Sequence, residues 1–201
     1  MKKITIALIM VISLIAPIQT MAESVTQNGT IIEPLEQNIE QIIDEITSEP
    51  RPINSDAIQN VKEYISEYFG NLGYDNIEYQ KFEYNDENNE NAIRHSSQAD
   101  VFLASTAEDA IVDGIGENII VTKNSSIDTT KNLIISAHYD SAEDSVGAND
   151  NGSGVAAVLE LARILKDTEM PYNIKFILFS GEEKYMLGSR WYVGKLTEDE
   201  R

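Results

Sequence analysis

The chain has 201 residues and carries 34 acidic against 15 basic side chains, a formal net charge of −19. That length holds one domain with a sizeable core, and the acidity argues against nucleic acid and against an anionic membrane surface as partners. With no Cys, and His95 and His138 as the only histidines, the sequence excludes a disulfide framework, a thiolate zinc site, a Cys nucleophile and an H-E-x-x-H helix.

Residues 1–22 read as a secretory signal. Lys2 and Lys3 form the positive region, Ile4 to Ile18 the apolar run, and Thr20-Met21-Ala22 a small-residue site with cleavage after Ala22. The run is short for a membrane span, and no Cys follows to carry a lipid. The expected location is therefore outside the cytoplasm of a bacterium, with no stable membrane insertion after cleavage. Residues 23–34 are polar and unpatterned, which predicts a mobile leader or pro-segment.

From residue 35 the chain is patterned. Leu35, Ile39, Ile42, Ile43 and Ile46 fall at helical spacing, and Glu49-Pro50-Arg51-Pro52 stops that helix. Ser55 can cap the next, whose stripe is Ile58, Val61, Ile65, Tyr68 and Leu72, closed by Gly70 and Gly73. Ile77 to Tyr84 reads as a strand whose alternation changes phase between Tyr79 and Phe82, which suggests a bulge. Residues 85–98 form an acidic loop, and residues 100–112 are ambiguous. Strands are expected over 117–122 and 132–137, the second buried on both faces. A helix over 152–166, a strand over 174–180 and a helix over 185–196 follow. Glu160, Arg163 and Lys166 make the narrow polar stripe of a helix buried over most of its circumference.

The strand–helix–strand–helix order over 132–196 implies a parallel, right-handed βαβ unit with Leu133–Ile135 and Phe176–Phe179 in the middle of a covered sheet. In such sheets the site lies beyond the carboxyl ends of the strands. Three polar clusters sit there: His138-Tyr139-Asp140, Asn149-Asp150-Asn151 and Glu182-Glu183. His138 and Asp140, two apart in extended chain, can aim the same way, and a metal-bound His needs such an acid to hold its ring. Asp150 precedes a helix N-terminus, and its two oxygens can bridge two cations. Of two adjacent glutamates, one can ligate a metal while the other serves as general base. Alone, each cluster also reads as ordinary surface: a His beside an acid, a capped helix start, an acidic turn. Their common placement favours a nitrogen/oxygen site for a divalent ion. Gly152-Ser153-Gly154-Val155-Ala156-Ala157 loosely matches a dinucleotide fingerprint, but no strand precedes it closely enough.

The strings Leu133 to Asp140, Gly147 to Val155 and Phe176 to Glu183, with Leu187-Gly188-Ser189 and the lead-in Arg51-Pro52, Tyr64 and Leu72-Gly73-Tyr74, resemble the bacterial zinc aminopeptidases of clan MH, peptidase family M-twenty-eight. The resemblance runs from about residue 36 to the end. It implies a three-layer αβα zinc-exopeptidase fold with a mixed sheet, residues 35–201 forming its N-terminal part. It implies two Zn2+, with other divalent ions as substitutes. His138 would bind the first ion. Asp140 would orient the site, Asp150 would bridge both ions through a cis peptide to Asn151, and Glu183 would bind the second. Glu182 would be the base in hydrolysis of N-terminal peptide bonds, with peptide or protein N-termini as substrate.

The same family calls for an Asp and a His further on. Asp199 lies in a charged tail with no strand before it, and His95 precedes the catalytic strands. The expectation is a chain truncated on its C-terminal side, each metal short of one ligand, with weak metal retention, little activity and unpaired sheet edges. Two other readings stand beside it: a non-catalytic binding module that kept the scaffold, and a glutaminyl cyclase or amidohydrolase on the same fold. The sequons at Asn28, Asn124 and Asn151 are read as chance in a bacterial secreted chain.

Overall fold

The computed structural model describes residues 25–27, 30–32, 34–85 and 113–197. The signal segment, the greater part of the acidic loop, the ambiguous stretch 100–112, His95 and Asp199 lie outside them. Where an unpatterned leader was expected, β1 (Val25–Gln27) and β2 (Thr30–Ile32) pair as a short antiparallel hairpin, Val25 opposite Ile32.

Two helices follow. In α1 (Glu36–Ile46) the apolar stripe buries Ile42 and Ile46 completely. In α2 (Asp56–Asn71) the Ser55 hydroxyl accepts from the Ile58 N–H at 3.1 Å, the expected cap. Its stripe buries Ile58, Val61, Ile65 and also Phe69, whose ring meets Phe176 and Tyr74 at centroid distances of 5.9 and 5.6 Å.

The main sheet contains β3 (Ile77–Tyr84), β4 (Gly114–Lys123), β5 (Asn132–His138) and β6 (Asn173–Phe179) in the spatial order β3-β4-β6-β5. β5 and β6 are parallel and the other pairs antiparallel, so the sheet is mixed. Between β5 and β6 runs α3 (Ser153–Leu165), and α4 (Leu187–Lys195) follows β6. Helices α1, α2 and α3 bury one face of the sheet around Ile119, Val121, Ile174, Phe176 and Leu178. On the opposite face α4 packs Tyr192 against Ile120 and Ile177, and Leu187 against Phe82, Tyr84 and Ile53. The result is the expected α/β fold in three αβα layers. No helix among the described residues is long and apolar enough to cross a membrane.

Three local expectations are corrected. β3 has no bulge, because its register with β4 runs unbroken from Ile77↔Val121 to Tyr84↔Gly114. The phase change arises because the sheet is covered on both faces. Ile77 packs toward the larger core and Phe82 and Tyr84 toward α4, which lies across the other face. β5 is not buried on both faces. Among the described residues it lies at the edge of the sheet with Ile134 42% exposed, and burial begins only at Ala137 and His138, whereas β6 has a strand on either side. Glu160 does not lie on a solvated stripe. It is 3% exposed beneath α1, where it accepts from the Leu35 N–H at 2.8 Å and the Asn38 amide at 2.6 Å and pairs with Arg163 at 2.7 Å.

Burial alone would raise the Glu160 pKa, but the bonds from Arg163, Leu35 and Asn38 outweigh it and hold the carboxylate below its ordinary value. A lowered carboxylate stabilises the fold above the ordinary pKa, and that stabilisation is lost as pH falls through the lowered one. Glu160→Gln is expected to destabilise the protein by about 1–3 kcal/mol at pH 7, since donors on α1 lose their acceptor. Urea unfolding at pH 7 and pH 3 should show this difference shrinking at the lower pH.

Candidate active site

β5 and β6 run in parallel with His138 opposite Phe179, so both strands deliver their carboxyl ends to the same edge. The chain leaves β5 as His138-Tyr139-Asp140 and leaves β6 as Ser180-Gly181-Glu182-Glu183. Asp140 is fully buried. One of its carboxylate oxygens accepts from the Glu182 N–H and the other from the Glu183 N–H, both at 3.1 Å. One side chain thus ties the turn after β6 to the end of β5.

His138 is 8% exposed. Its Nδ1 faces Asp140, 3.2 Å from the carbonyl oxygen and 3.5 Å from Oδ1. Its Nε2 faces outward, 3.0 Å from Asp150 Oδ1 and 3.8 Å from Glu182 Oε2. Asp150 comes from the loop before α3, within a tight turn over Ala148–Gly152, and its peptide bond to Asn151 is cis. The start of α3 is served by Asn151, whose Oδ1 accepts from the Gly154 N–H at 3.1 Å, so the Asp150 carboxylate is not taken up as a cap. Gly147 opens this turn with φ +58, and a Cβ there would collide with the Asp150 carbonyl oxygen.

The electrostatics are one-sided. Burial would lower the His138 pKa, but the hydrogen bond to Asp140 and its charge, then Glu182 and Asp150, raise it to about 9. Glu183 is shifted upward by burial and then by Asp150. An imidazole nitrogen opposed to a carboxylate oxygen, with further carboxylates around it, is the donor chemistry of a divalent ion such as zinc. Among the described residues, no three His, Cys, Asp or Glu side chains are gathered closely enough to enclose an ion by themselves. The residues fit the ion by donor type and by the facing of His138 and Asp150.

All five residues expected at the site therefore come from segments that meet at one edge: His138, Asp150 and Glu182 approach through side chains, and Asp140 and Glu183 through the bond just described. Sequence reasoning missed two supports. Asn118, fully buried on β4, donates to the Gly188 carbonyl and to Gln80 Oε1, both at 2.9 Å, and accepts from the Ser180 N–H at 3.2 Å. An uncharged polar residue directly before the apolar run Ile119-Ile120-Val121 was the available signal. Arg51, noticed only as part of a lead-in, is fully buried behind the site.

Residues 118–200, which contain all five site residues, match Peptidase family M28. The match covers rather less than half of the chain. Aminopeptidase YwaD of Bacillus subtilis (strain 168) is 44% identical over 92 residues, 45% of this chain and 20% of that protein. The solved structure of BSAP, a zinc aminopeptidase from Bacillus subtilis, aligns with a TM-score of 0.65 over 82% of this chain and 66% of that one, at 18% identity. Porphyromonas gingivalis glutaminyl cyclase aligns with a TM-score of 0.59 over 79% of this chain and 52% of that one, at 19% identity. The two structures establish the fold, and the aligned stretch spans a fifth of the curated aminopeptidase it matches.

Asp140→Asn would set an amide N–H2 against one of the two backbone N–H groups. It should destabilise the protein by about 1–3 kcal/mol in urea unfolding at pH 7. Amide hydrogen exchange at Glu182 and Glu183 should quicken in the same variant while β6 stays protected.

Proposed function

We propose that the protein is a secreted metallo-aminopeptidase of family M28 that hydrolyses N-terminal peptide bonds with a dinuclear zinc site. The observation that carries this reading is the meeting of His138 Nε2 with Asp150 Oδ1 at 3.0 Å and Glu182 Oε2 at 3.8 Å beyond the ends of two parallel strands. The match over residues 118–200 and the identity with a Bacillus aminopeptidase support it.

In this proposal His138, Asp150 and Glu183 are the residues that would hold the ions. Bound zinc supplies Lewis-acid polarisation of the scissile carbonyl and a lowered pKa for the attacking water. Asp140 does not ligate. It presents His138 through Nδ1 and fixes the backbone of both glutamates. Glu182, with its side chain 42% exposed, is the general base: its carboxylate takes the proton of the attacking water and returns it to the leaving amine. The acidic surroundings suit the positively charged α-amino group of a peptide.

The family resemblance calls for one more ligand to each ion, an Asp and a His downstream of Glu183. The protein expressed from its complete open reading frame should hold zinc tightly wherever those ligands follow.

A glutaminyl cyclase activity is the second reading, favoured by the fold shared with that enzyme. Aminoacyl anilides, acylated anilides and peptides with N-terminal Gln separate the possibilities. The proposal expects turnover of free-amino anilides that stops with EDTA and returns with zinc. Glu182→Gln should lower kcat about 10²- to 10⁴-fold with little change in zinc affinity, whereas His138→Ala should remove one of the two ions. Cyclisation of N-terminal Gln in place of anilide hydrolysis would overturn the aminopeptidase assignment. An intact fold without zinc uptake or turnover would mark a binding module.

A further inference from the structure

Arg51 lies in the link between α1 and α2, far in sequence from every residue of the site, and is fully buried. Its hydrogen bonds go to carbonyl and hydroxyl oxygens. Nε donates to the Tyr139 carbonyl at 2.7 Å, Nη1 to the Val146 carbonyl and Nη2 to the Gly147 carbonyl at 3.2 Å. Its backbone exchanges two bonds with Ser141. The Arg51 N–H donates to Ser141 Oγ at 2.9 Å, and the Ser141 N–H donates to the Arg51 carbonyl at 3.3 Å.

The two groups of acceptors belong to different arms of the site. Tyr139 stands between His138 and Asp140 at the end of β5. Val146 and Gly147 open the turn that carries Asp150, and the Gly147 carbonyl also accepts from the Gly152 N–H at 2.9 Å, closing that turn. A guanidinium is a flat, rigid fork with donors at fixed angles. Bonded to both arms at once, it sets their spacing as a strut does. Burial of this charge is unfavourable by itself and pulls the Arg51 pKa down against the nearby charges of Asp140 and Glu183. An apolar side chain of similar size would fill the space without that penalty.

We infer that Arg51 is a positioning residue that sets the distance between His138 and Asp150, and so the metal affinity of the site. The metal half of this inference rests on the zinc reading above; the geometric half does not.

The test compares wild type, Arg51→Lys and Arg51→Met by metal-free crystal structures, by zinc affinity from competition with a chromophoric chelator, and by thermal melting. Lysine keeps the charge and the stem but has a single donor point, so it cannot span both arms. Both variants are expected to separate His138 Nε2 from Asp150 Oδ1 by more than about 1 Å beyond wild type, outside the tolerance of a working site. Zinc affinity should fall about 10- to 100-fold in both, with no rescue by lysine. Lower melting temperature with separation and affinity unchanged would show a merely structural arginine and overturn the inference. If wild type takes up no zinc, the zinc reading fails, and the separation alone decides: lengthened supports the positioning role, unchanged overturns it. If Arg51→Met does not fold, Arg51→Lys alone is judged by the same two outcomes.

Discussion

The site hangs on a carboxylate that touches no solvent. Asp140 spends both oxygens on the backbone N–H groups of Glu182 and Glu183, while its residue also stands beside His138 Nδ1. One imidazole and two glutamates from two strand ends are therefore located by one group. The parallel register of β5 and β6 brings the ends together to within a few residues, and the Asp140 bonds complete the alignment. Two backbone donors on one carboxylate, each on its own oxygen, make the tie directional.

Behind and in front of that tie the charges are opposed. Arg51 lies behind it among backbone carbonyls. In front, Asp150 and Glu182 face the single imidazole of His138, whose pKa they and Asp140 raise. On the proposed reading a divalent cation would stand between His138 and Asp150 and supply compact positive charge to these carboxylates. The arrangement links composition to chemistry. A strongly acidic chain brings several of its acids to one edge of the sheet, Asp140 buried and Asp150 and Glu182 facing outward.

Much of this was legible in the residues. The 3.6-residue stripe of α2 and the Ser55 cap need only local spacing and local hydrogen bonding, and both were readable. His138 and Asp140 were readable as a pair because a strand returns to the same face every second residue, and Asp150 and Glu182-Glu183 because each follows or opens a strongly patterned element. Burial was harder, since it depends on what an element packs against. Leu133-Ile134-Ile135 looked central by composition, yet β5 lies at the edge of the described sheet and the central place belongs to β6. Glu160 looked solvated until α1 covered it. The phase change in β3 looked like a bulge because a strand with helices over both faces need not keep its apolar residues on one of them. Arg51 and Asn118 were invisible as supports because their partners are mainly backbone atoms, and backbone acceptors leave no mark in a sequence.

The most direct test of the site is anomalous diffraction at the zinc edge from crystals of the protein grown or soaked with zinc. A peak within about 2.0–2.2 Å of both His138 Nε2 and Asp150 Oδ1, replacing their direct contact, is the expected result. Zinc found only elsewhere on the molecule, with His138 still bonded directly to Asp150, would contradict the assignment of this strand-end cluster as the metal centre.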